Sequence, residues 1–177
     1  LRLVGSEMCI RDRVYTPYII CGKEMYQDLT ELTSSGTNIE IITNAVSSGA
    51  NPWGCTDYLN QKQKIWDTGV KVHEFMGKHS CHTKALLIDE RMTILGSYNM
   101  DMRSTYQDTE LMLAVDSIEL NATIANEVEQ DKTYSRTMGE DGTYVYGEHY
   151  KEKEMSLGKT IFYGLLRVLT IPIRRFL

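Results

Sequence analysis

Cysteine is sparse here: four in 177 residues, Cys9, Cys21, Cys55 and Cys81, with no C-x-x-C spacing among them. That excludes a disulfide framework and fits a reducing compartment. His79, Cys81 and His82 crowd together, but a zinc site needs a fourth ligand at compatible spacing and none follows, so no metal site is assigned. No bilayer-length apolar run is found either. The longest candidate, near the C-terminus, is broken by Arg167 and kinked at Pro172. Basic charge is also short. The net charge is −5, and residues 14–158 alone carry −10. An acidic body is poorly equipped for nucleic acid, which makes a nucleic-acid partner unlikely.

What remains is enough for one core: 42% of the residues are hydrophobic and 24% charged. The opening residues stand apart. Leu3 to Arg13, LVGSEMCIRDR, resembles the translation of a transposon-end adapter used in making DNA sequencing libraries. Residues 1–13 are therefore expected to be a non-native leader, with the native sequence starting near Val14.

From Val14 the pattern alternates between strand and helix. Val14–Cys21, Asn38–Thr43 and Val70–Phe75 read as strands, Lys23–Thr33 and about Asp57–Thr68 as helices, each helix ending in a glycine-containing turn. This order predicts an α/β layer with parallel pairing. Glu110–Val115 adds a strand, and Ser117 to about Tyr134 a helix capped by Ser117. Asn44–Cys55 is a long polar gap leaving the end of a strand, where such sheets place ligands, with Trp53 exposed to meet one. Residues 136–155 read as an appended hairpin or linker around Glu140-Asp141-Gly142.

The stretch with most chemistry runs from His82 to Glu110. Ala85–Ile88 and Met92–Leu95 are short apolar strands flanked by polar residues. A tight hairpin with Glu90-Arg91 as its loop would set Lys84 opposite Ser97 and His82 opposite Asn99. An imidazole, an ammonium, a hydroxyl and an amide would then share a patch suited to a phosphoryl group. Lys84 offers charge, Ser97 and Asn99 offer donors, and His82 can attack phosphorus or move a proton.

At these residues the sequence resembles the phospholipase D superfamily, whose signature is H-x-K-x4-D followed by G-S-x-N. Here it reads His82, Lys84, Asp89, then Gly96, Ser97 and Asn99, with D-M-R-S at Asp101–Ser104 and D-T-E at Asp108–Glu110. The Y-x-P at Tyr15, I-I-T-N at Ile41–Asn44 and L-x-I-P-I at Leu169–Ile173 place it nearest the bacterial cardiolipin synthase-like branch, in its C-terminal half. The resemblance implies an α/β fold, a mixed sheet flanked by helices forming one half of a pseudo-two-fold pair. It implies a metal-free, cofactor-free transfer through a phosphohistidine. His82 is then nucleophile or acid–base, Lys84, Ser97 and Asn99 hold phosphate oxygens, Glu110 orients a motif histidine, and Asp89 supports the group. The half-domain would span residues 14–135. The complete signature occurs once, whereas the family uses two, so the second is expected from a missing N-terminal half or a second copy of the chain.

Residues 156–177 carry four basic residues (Lys159, Arg167, Arg174, Arg175) and no acids. On a helical projection Ile161, Phe162, Leu165, Leu166, Val168, Leu169 and Ile173 gather on one arc and the basic residues on the other. This is the pattern of a basic amphipathic helix at a membrane interface. The expected partners are thus a phosphatidylglycerol-like lipid and the cytoplasmic face of a bacterial inner membrane, met peripherally. The expected activity is phosphatidyl transfer, with phosphodiester hydrolysis or an inactive membrane-docking fragment as alternatives.

Overall fold

The structure, a computed structural model, describes residues 11–49, 51–139 and 141–177. Eight strands form one mixed sheet in the order β6-β5-β4-β1-β2-β3-β7-β8. Its centre is parallel: β1 (Arg11–Tyr15), β2 (Asn38–Asn44) and β3 (Lys71–Phe75), joined by α1 (Lys23–Ser34) and α2 (Pro52–Trp66). β2 is covered on both faces, so Ile39, Ile41 and Ile42 are buried along with the polar Glu40, Thr43 and Asn44. The turns after the two helices hold Gly36 at φ 99° and Gly69 at φ 86°, the left-handed region where a side chain is strained.

Antiparallel strands extend both edges. β4 (Ala85–Ile88) pairs with β1, and β5 (Met92–Gly96) and β6 (Met112–Asp116) follow outward. At the other edge β7 (Ser135–Met138) pairs with β3, and β8 (Tyr144–Tyr146) with β7. The segment read as an appended hairpin is thus part of the sheet. It is anchored by Glu74, which is 2% exposed and accepts from Tyr58 Oη at 3.0 Å and Arg136 Nε at 2.7 Å, with Lys62 ion-paired to the same carboxylate. One sheet face packs Ile41 and Val72 against Tyr58 and Ile65 of α2, and the other packs Tyr15, Ile42 and Leu87 against Val128 of α4 (Ile118–Thr133).

Several boundaries differ from the sequence expectation. β1 begins at Arg11, so Arg11, Asp12 and Arg13, grouped above with the leader, are paired into the sheet, while residues 1–10 lie outside the described residues. α2 begins at Pro52 because Asn51 caps it, accepting from Trp53 N at 3.1 Å and Gly54 N at 3.3 Å. The polar gap is correspondingly shorter, and Trp53 lies in the first turn of a helix.

The largest correction concerns α5 (Leu157–Ile173). It docks on α2 through Tyr163, Leu166 and Thr170, all buried. The basic side faces the protein: Arg174 Nε and Nη2 donate to Asp57 at 2.6 and 2.9 Å, and Arg167 Nε donates to Asn60 Oδ1 at 3.0 Å. Ile161, Phe162, Leu165, Val168, Leu169 and Ile171 are left exposed. The projection groups residues by polarity, but Leu166 from its apolar arc lies on the docked side, and polarity alone does not say which side meets the protein. The buried carboxylate of Asp57 decides it.

Candidate active site

The β4–β5 turn sets the geometry. Ala85 pairs with Leu95 and Ile88 with Met92, so the loop is the three residues Asp89-Glu90-Arg91, one longer than expected. The register therefore shifts by one, and Lys84 lies opposite Gly96, whose N–H donates to the Lys84 carbonyl at 3.2 Å. The reason is local. Asp89 adopts φ 53°, a left-handed conformation that Asp tolerates, and takes the turn position that Asn-Gly would otherwise supply. Asp89 N donates to Arg11 O at 2.9 Å, and its carboxylate accepts from Arg11 N at 3.4 Å. Asp89 thus stands at the far end of β4, roughly 16 Å along the chain from Lys84. The structure does not bring it to the other motif residues. Its work is on the hairpin.

Those others meet at the C-terminal end of the parallel strands, where open α/β sheets place ligands. Cys81–Lys84 leads into β4 as extended chain, held from beneath by Asn44 at the end of β2. Asn44 is 2% exposed, and its side chain donates to Cys81 O and Pro17 O, each at 2.8 Å, and accepts from Cys81 N at 2.8 Å. This two-way clamp fixes the peptide next to His82. His82 is exposed, and Lys84 folds back on it, Nζ lying 3.1 Å from Nδ1, 3.3 Å from Nε2 and 2.9 Å from the His82 carbonyl. Partial burial holds the Lys84 ammonium below the usual lysine range.

Ser97 and Asn99 lie on the chain leaving β5. Ser97 is tied twice to the start of β6, its N–H donating to Leu111 O and its hydroxyl accepting from Leu111 N, both at 3.0 Å. Ser97 Oγ also donates to Glu110 Oε2. Asn99 N and Nδ2 reach Ser104 Oγ at 3.3 and 3.5 Å. Ser104 sits in a short helix, α3 (Met102–Tyr106), capped by Asp101, which accepts from Ser104 N at 2.6 Å. Hydrogen bonds from Ser97 and Ser104, with Lys84 and Arg103 nearby, hold the Glu110 carboxyl below the usual glutamate range. Burial pushes the Asp101 carboxyl above its ordinary value. The outcome is a ring, Ser97–Glu110–Ser104–Asn99, set beside His82 and Lys84. Its one open acceptor is the buried Asn99 Oδ1, which has no partner among the described residues.

Asn44 and Ser104 are the residues that sequence reading left without a role. Both lie inside stretches singled out above (I-I-T-N and D-M-R-S), but the contact each makes is between distant segments. His149 stacks on Tyr134 with ring centroids 5.2 Å apart. His149-Tyr150-Lys151 also spells H-x-K, but Ser156 stands where the signature needs Asp, and the segment follows β8 at the opposite edge of the sheet. Among the described residues no group of three or more His, Cys, Asp or Glu is placed to hold a metal ion.

The family described as cardiolipin synthase, phospholipase D-like domain, matches residues 11–132. The chain belongs to that family. Among curated relatives, cardiolipin synthase A of Shigella dysenteriae is 28% identical over 123 residues, covering 69% of this chain and 24% of that protein. Two solved structures share the fold. One is a phospholipase D family member, Nuc, from Salmonella typhimurium, with TM-score 0.60, 13% identity, 73% of this chain and 82% of that one covered. The other is phosphatidylserine synthase from Haemophilus influenzae, with TM-score 0.59, 15% identity, 94% of this chain and 42% of that one covered. This phospholipase D-like domain spans about a quarter of the length of the curated relatives it matches. The mixed sheet with flanking helices is the α/β fold expected from the sequence.

Proposed function

We propose that this domain is the C-terminal half of a phosphatidyltransferase acting on phospholipid phosphodiesters, with His82 as its reactive imidazole. The observation that supports the reading is His82 against Lys84 Nζ, with Lys84 in electrostatic reach of Glu110, the carboxylate that accepts from Ser97. In the first half-reaction one motif histidine attacks phosphorus and a P–N bond forms. The P–O bond to the alkoxide breaks as a second histidine gives that oxygen its proton. In the second, the second histidine takes the proton of an incoming alcohol, whose oxygen displaces the first from phosphorus. Lys84, Ser97 and Asn99 stabilise charge on the phosphoryl oxygens throughout. The second histidine comes from another H-x-K-x4-D, in the same polypeptide or in a second copy of this chain.

The exposed side of α5 supports a peripheral membrane contact. Six large apolar side chains between Ile161 and Ile171 are exposed there, and no helix among the described residues is long and apolar enough to cross a membrane. The contact is therefore assigned to the apolar arc of α5, with Arg175 at its end.

A protein carrying this domain together with a second motif, mixed with phosphatidylglycerol vesicles, tests the reading. Cardiolipin and glycerol are the expected products, and His82→Ala abolishes both. Phosphatidic acid as the sole lipid product would replace transfer by hydrolysis.

A further inference from the structure

Between α1 and the sheet face formed by β1, β4 and β5 lies a cavity of about 220 Å3. Its floor is a single cross-strand row, Val14, Leu86 and Ile94, fixed by the pairing of Val14 with Leu86 and of Leu86 with Ile94. Met25 and Leu29 of α1 form a wall. The next row toward the active site is Lys84, Gly96 and Met112. The floor of the slot therefore runs into the lysine of the phosphate patch without leaving its face of the sheet. Gly96 lets β6 approach at that junction, since a Cβ would run into Leu111 O and lie 2.6 Å from Met112 Sδ. The thioether that covers the junction is the most adaptable of apolar side chains.

The lining identifies the guest. Dry apolar cavities of this order bind apolar molecules, and a slot smaller than the roughly 300 Å3 at which ordinary ligand pockets begin suits one narrow chain. Glu24 and Asp28 stand on its α1 side, and Tyr106 Oη donates to Glu24 Oε2 at 3.1 Å. On a chain of net charge −5 an acidic rim resists a second copy of the same surface. Asp12 closes the far end, where burial, with Asp89 beside it, pushes its carboxyl up to about 6.

We propose that this slot holds one acyl chain of a phospholipid whose phosphate lies on Lys84 and Ser97. The inference rests on the phosphatidyl reading above and adds which part of the lipid this domain grips.

Two tryptophan reporters test it in the intact chain, Met112→Trp at the active-site end and Leu32→Trp at the far end. The probe is lysophosphatidylglycerol with an acyl chain brominated either near its ester or near its methyl end. Ester-end bromine is expected to quench Met112→Trp more strongly and methyl-end bromine Leu32→Trp, after subtraction of the Trp53 and Trp66 signal. Equal quenching at both sites, or none that saturates, overturns the proposal. In a second arm, Ile94→Trp narrows the floor on the half-buried outer side of the sheet, with circular dichroism reporting the fold. Unbrominated lysophosphatidylglycerol should bind about tenfold more weakly to it, while chainless glycerophosphoglycerol binds as to the wild type. Equal loss of both probes counts against the slot. Positional quenching without any glycerophosphoglycerol binding keeps the slot and removes the phosphate reading. A dimer seen by sedimentation and lost in Ile94→Trp, with no quenching, would give the face to a second copy instead.

Discussion

At the scale of single residues, the site depends on two side chains that touch no substrate in the proposed reaction. Ser104 is the only described group hydrogen-bonded to both Asn99 and Glu110, and its removal lets the amide and the carboxylate drift. In a two-motif protein Ser104→Ala should lower kcat roughly tenfold, the loss expected for one or two hydrogen bonds of about 1 kcal/mol each, with KM nearly unchanged. Ser104→Thr, which keeps the hydroxyl, should recover most of that. A Ser104→Ala enzyme with wild-type kcat would reduce the ring to structural decoration. Asn44 is a different case. With Asn44→Ala, backbone groups of Pro17 and Cys81 lose their partners in a buried place, so a loss of about 2–4 kcal/mol in denaturant unfolding is expected, along with reduced turnover.

At the scale of elements, α5 is held by polarity and left apolar outside. Asp57 is fully buried and its carboxyl is held below the usual aspartate range, against the pull of burial, by Arg174, Gln61 and Asn60. Arg174→Ala leaves that carboxylate without its cation, and unfolding should become easier by about 3 kcal/mol, measured by urea titration. Charge reversal at Arg167 and Arg174 would therefore disturb docking before it disturbed any membrane contact. The membrane contact is tested on the other arc. Leu165→Glu with Leu169→Glu should reduce co-sedimentation with anionic vesicles severalfold at unchanged urea midpoint. Co-sedimentation equal to wild type would show that the outer arc serves something else. The β4–β5 hairpin teaches a similar point on a smaller scale, because one extra loop residue moved Lys84 from Ser97 to Gly96 and so set Lys84, Gly96 and Met112 as the row next to the floor of the apolar slot.

At the scale of the whole molecule, two buried groups give the fold opposing pH responses. His73 lies in the sheet with Nδ1 against Thr137 Oγ1 at 2.6 Å, and burial, helped by Lys132, pushes its pKa from 6.5 down to about 4. The unfolded chain binds that proton first, so this term favours the fold above 6.5 and is lost as pH falls toward 4. Asp12 acts in reverse. Its carboxyl is raised from 3.8 to about 6, so its term is full below 3.8 and is lost as pH rises through 6. Between these limits the two slopes oppose each other. His73→Gln should tilt stability toward acid and Asp12→Asn toward neutral pH, read as the shift in urea midpoint across that window. Parallel shifts in both variants would contradict the assignment.

The site chemistry was legible because it is local. His82, Lys84, Ser97, Asn99 and Glu110 fall within one short stretch, so their residue types and spacing are readable without the fold. The parallel core was legible for the same kind of reason, since isoleucine-rich stretches such as Asn38–Asn44 and the glycine stops at Gly36 and Gly69 are properties of neighbouring residues. Registers and faces were not. Whether a hairpin loop holds two residues or three turns on the backbone conformation of Asp89 in contact with Arg11, which lies 78 positions away. Which side of α5 meets the protein turns on a carboxylate 117 positions away. The sequence by itself determined the residue types of the site and the order of its strands and helices, through propensity and period. Tertiary structure alone decided which of those residues touch, because burial makes an unpaired charge or amide so costly that distant partners must be found.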